Sequence, residues 1–75
     1  SIRVARVGDR IVAYLPRTTA LKFKLDGTRG WKATVLDMED KRIARLPVRD
    51  DGDGTVRVAQ HPFEHDALVI LTPGR

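Results

Sequence analysis

Cysteine is absent from all 75 residues, which removes disulfide staples, thiolate metal ligands and thiol nucleophiles together. Serine occurs once, as Ser1, and the two histidines share one short segment, so no nucleophile, base and orienting group can be assembled. Aromatic side chains make up only 5% of the chain, too few to furnish a broad platform for sugars or bases. The longest apolar runs, residues 11–15 and 67–71, are of strand length and far short of the ~20 residues a spanning helix needs, so no membrane partner is expected. No apolar stripe at helical spacing is visible either. The chain opens on Ser1 with no basic leader and apolar core before the first strand. The expectation is an excised or processed piece of a larger chain, carrying no signal peptide.

What is present suffices for one domain over 1–75. Nineteen Val, Ile and Leu, with Trp31, Phe23, Phe63 and Tyr14, can fill a single core. A chain this short buries only about 60% of the surface its unfolded form exposes, so docking against a neighbour would add needed stability. Fourteen Lys and Arg against ten Asp and Glu give a net charge of +4. That balance permits acidic partners, nucleic acid included. The cations are spread along the chain, however, alternating with apolar residues as on the solvent face of strands, and the one basic pair is Lys41-Arg42. Nucleic-acid binding by a small basic barrel is therefore the third-ranked reading.

The hydrophobic period is two almost throughout. A first strand spans residues 2–7, with Arg3 and Arg6 outward, and Gly8-Asp9 turns it into a second over 10–15 that Pro16 ends. Residues 20–25 alternate, with Leu21, Phe23 and Leu25 inward, and 26–30 form a glycine-bearing loop. Trp31, Ala33 and Val35 share one strand face, and 37–42 is a polar turn. Pro47 marks the strand 43–48 as an edge, and 49–54 reads as a flexible loop. Val56 and Val58 point inward from 55–59, and 67–71 closes the chain. The expectation is all-β: a small antiparallel β-sandwich of about seven short strands. The two doubly apolar strands, at the start and the end, should lie side by side mid-sheet.

Three patterns invite chemical readings. His61, Glu64 and His65 have the HxxEH spacing of one zinc-peptidase class, which needs a helix to place both imidazoles on the metal. Here the pattern sits between strands, and the expectation is a loop in which Pro62 turns the chain and Phe63 plugs the sandwich end. The acid run at residues 50–54 fails the calcium-loop count, because Val56 and Pro62 fall where glycine and glutamate belong, and reads as a solvated hairpin loop. Tyr14 and Trp31 are the candidate ligand-binding residues, as stacking surfaces for a sugar ring. The neighbours Ala33 and Val35 argue instead that Trp31 is core. Asp37 and Asp66 lie at strand ends, but a glycosidase needs two carboxyls at a set separation across a cleft, which a sandwich this small does not offer. No cofactor and no metal are implied.

The strand GDRIVAYLP, the segment TVLDMEDKRI and the closing HPFEHDALVIL resemble the C-terminal β-sandwich accessory domain of apiosidase-like glycoside hydrolases, a module labelled collagen-binding. Tyr14-Leu15-Pro16, Asp37 and Asp66 match that pattern in order, over about residues 6–71. The chain departs from it at Val35-Leu36, at residues 38–41 and at Ala67, which thins any aromatic surface. The resemblance implies a non-catalytic domain whose partner is an N-terminal catalytic (β/α)-barrel in the parent chain. A polysaccharide- or matrix-binding module using Tyr14, Trp31 and basic side chains is the alternative. Burial of the Trp31 indole would separate the two.

Overall fold

The computed structural model describes residues 2–17, 20–25 and 30–74. Its elements are eight antiparallel strands: β1 (Arg3–Val7), β2 (Arg10–Leu15), β3 (Leu21–Lys24), β4 (Lys32–Asp37), β5 (Ile43–Leu46), β6 (Val48–Asp50), β7 (Thr55–Val58) and β8 (Ala67–Thr72). They form a five-stranded sheet in the order β1-β2-β8-β4-β5 and a three-stranded sheet in the order β3-β7-β6. The all-β sandwich read from the sequence is the architecture found. The two doubly apolar strands, β2 and β8, are hydrogen-bonded neighbours inside the larger sheet.

The expected strand over 43–48 is two strands. Pro47 has no N–H to give a ladder, so the chain leaves the large sheet after Leu46 and enters the small one at Val48. The carbonyl of Pro47 accepts the Ala59 N–H at 3.1 Å, which pins the crossing. Arg49 and Asp50, expected in a loop, accordingly pair with Arg57 and Val56. The loop expected over 26–30 lies outside the described residues except for Gly30, whose φ of 72° is readily adopted only by glycine. A Cβ on Gly74 would run into the Gly30 carbonyl, so residue 74 can lie against Gly30 only as glycine.

Antiparallel pairing sorts each strand's residues onto two faces. On the inner face of the large sheet, cross-strand rows such as Ile11-Leu71-Ala33 and Ala13-Val69-Val35 are sealed by Leu21, Leu25, Val56, Val58, Trp31 and Phe63. The small sheet does not reach β1, whose residues are all exposed; Val4, beside Ala13, is 54% exposed. Arg3 and Arg6, three apart, fall on opposite faces of β1 rather than both outward, as the pleat requires.

Candidate functional site

Polar side chains gather at the end of the sandwich where β4 turns into β5 and where residues 61–66 lead into β8. Asp37 stands at the centre, its side chain 0% exposed, at the last position of β4 and paired with Ala67. A carboxylate buried there must have its lone pairs answered. Its Oδ1 accepts the N–H groups of Glu39 at 3.0 Å and Asp40 at 3.3 Å, and its Oδ2 takes the Arg42 Nη2 at 3.3 Å. The main chain closes the same turn: Asp37 N–H donates to the Arg42 carbonyl, Lys41 N–H donates to the Asp37 carbonyl, and Lys41 adopts φ 60°.

Burial is the largest single influence on Asp37 and pushes its pKa up. The two backbone N–H groups, the Arg42 guanidinium and His65 together outweigh it and hold the carboxyl below the ordinary aspartate value. Arg42 also meets Asp40 at 3.4 Å and lies over the Phe63 ring, 5.0 Å from its centroid. His65 lies between the acids, with Nδ1 3.8 Å from Asp37 Oδ1 and Nε2 3.6 Å from Glu39 Oε2.

Asp37, Asp40 and His65 offer ligand atoms within 4.8 Å of one another, a spacing that could hold a metal ion. Arg42 already bonds both carboxylates there and supplies the positive charge, while Asp37 Oδ1 is committed to two amides. The chemistry of the cluster is that of a clamped turn. Beside it, Met38, Glu39, Glu64, His65 and Asp66 line an open depression of about 490 Å³.

The HxxEH segment contains no helix, and its two histidines do not converge. His61 is buried, and its Nδ1 accepts the Phe63 N–H at 3.2 Å, so that nitrogen carries no proton. Phe63 is buried in the core as the expected plug. The acids of 50–54 serve their own hairpin: Asp50 accepts Gly52 N–H, Asp53 accepts Thr55 N–H, and Asp51 pairs with Arg57 at 2.7 Å and Arg49 at 3.3 Å. Hydrogen bonds from Thr55 lower the Asp53 pKa, and the Asp51 hydrogen bond raises that of Arg57.

Trp31 and Tyr14 do not meet. Trp31 is 7% exposed and belongs to the core beside Ala33 and Val35. Tyr14 alternates with the buried Ala13 and Leu15 and lies on the outer face of the large sheet. There its hydroxyl donates to Asp66 Oδ2 at 2.6 Å, a bond that raises the tyrosine pKa. Asp66, read from the sequence as a strand-end acid, is thus engaged with Tyr14, and its carbonyl accepts Met38 N–H.

That outer face is the feature sequence reasoning missed. Pairing aligns Tyr14, Leu68, Leu36 and Ile43 in one row and Val12, Ile70, Thr34 and Arg45 in the next. These residues are half-buried by their own neighbours or exposed, Ile43 reaching 73%, and neither sheet covers them. The available signal was the apolar character of both faces of β2 and β8, which sequence reading took as a sign of central position alone. No protein family, curated protein or solved structure matches the chain.

Proposed function

We propose that this domain is a non-catalytic accessory module that packs on a larger folded neighbour through the outer face of its five-stranded sheet and stabilises that neighbour. The observation that carries the reading is the uncovered apolar face built on Val12, Leu36, Leu68 and Ile70. The polar cluster supports it as well, because its acids are spent on holding the β4–β5 turn. The resemblance through Tyr14-Leu15-Pro16, Asp37 and Asp66 makes the neighbour the catalytic (β/α)-barrel of a glycoside hydrolase. The glycan- or collagen-binding alternative is left with Tyr14 and the basic side chains, because Trp31 is sealed.

The test is a titration of the domain with a glycan panel, collagen and single-stranded DNA, followed by backbone amide shifts. The expected result is no saturable shift with any of them. A saturable response to a glycan or to collagen would replace docking by ligand binding, and one to DNA would revive the nucleic-acid reading.

A further inference from the structure

Resting on the docking reading, we infer that the partner surface is a folded protein face with an apolar centre and a rim of carboxylates. Every charged residue at a strand position on the outer face is a cation: Arg3 on β1, Arg10 on β2, Lys32 on β4 and Arg45 on β5. Arg10 lies two residues before Val12, and Arg45 pairs with Thr34 in the row that contains Val12 and Ile70, so the cations border the apolar patch. The Asp66 carboxylate, at the margin of this face, is held by the Tyr14 hydroxyl. Of the other described acids, one group lies around Asp37, another in the β6–β7 hairpin, and Asp9 stands in the β1–β2 turn beside Arg10 rather than at a strand position.

A face of this kind loses water from its apolar centre and keeps its charges at the edge, where they select a partner by sign. A second copy of the chain is a poor occupant. An isologous sheet-on-sheet contact would set Arg10 and Arg45 against cations of the same rim, in a molecule already at +4. Nucleic acid would find its phosphates matched to the rim and its polar backbone set against Leu68 and Ile70. A protein surface with leucine-like residues ringed by Glu or Asp satisfies both zones.

The experiment uses two synthetic amphipathic helical peptides with one shared leucine stripe, flanked by glutamates in the first and lysines in the second. Vesicles of phosphatidylglycerol form a third arm. At low ionic strength the glutamate peptide should shift the amides of Val12, Leu68 and Ile70, bind at least about tenfold tighter than the lysine peptide, and weaken as salt is added. In the doubly reversed variant, Arg10→Glu with Arg45→Glu, the preference should invert; both side chains are exposed, and circular dichroism checks that the fold survives. Equal binding of both peptides at this face would leave docking standing and overturn the acidic rim. Shifts confined to other surfaces, or none with either peptide, would overturn the face and the docking reading together. Stronger engagement of the vesicles than of the glutamate peptide would reassign the face to anionic lipid.

Discussion

Asp37 shows how much one residue's role depends on what folding brings to it. A carboxylate sealed from water is tolerated because two backbone N–H groups and a guanidinium answer its oxygens, with His65 close by. Its pKa is lower in the fold than the ordinary value, so the stability it contributes is complete above the unfolded-state pKa. That contribution is lost as pH falls through the lower folded-state value. We expect thermal melts to show midpoints that fall steeply below about pH 4, where aspartates titrate. In Asp37→Asn the neutral-pH midpoint should be lower and this acid limb shallower; an unchanged limb would assign acid sensitivity to another carboxyl. The sequence shows Asp37 as the end of a strand before a polar turn. The groups that answer its oxygens lie within five residues, but the burial of Asp37 and the approach of His65, from a segment distant along the chain, are not visible there.

At the scale of elements, strand existence was legible and strand environment was not. Alternation marks β3, β4 and β7 where they occur, and continuous apolar runs mark β2 and β8, because both patterns are local properties of the chain. The sheet switch at Pro47 was half visible: proline announces an edge, but only the pairing tells that it ends one sheet's edge strand and begins the other's. Position within the sheet should also set local stability. β8 is hydrogen-bonded on both sides, to β2 and β4, whereas β1 is paired to β2 alone and exposed along its length. Native-state hydrogen exchange should therefore find the amides of β1 opening first and those of β8 opening only with global unfolding. Equal protection of the two strands would contradict the idea that the small sheet stops short of β1.

The whole molecule is a sandwich with one sealed interior and one uncovered outer face. Both sheets draw on one core cluster, in which Leu71 has no exposed surface and sits between Ile11 and Ala33. Leu71→Ala should cost about 2–5 kcal/mol in chemical denaturation, a large share of the margin available to a chain of this size. Because that core is shared, Trp31 fluorescence and far-ultraviolet circular dichroism should still report one coincident transition in the variant. Separate transitions would mean that the two sheets melt independently.

By itself the sequence determined the class of structure: strands, their approximate limits, the central pairing of β2 with β8, and the absence of cysteine. Those follow from side-chain type and local period, which need no partner to be read. Only the tertiary structure decided that Trp31 is core, that Asp37 is clamped, and that the apolar residues between Arg10 and Arg45 form one uncovered face. A residue's burial and its neighbours across a sheet are set by register and by where the second sheet ends, and no local stretch of sequence encodes either.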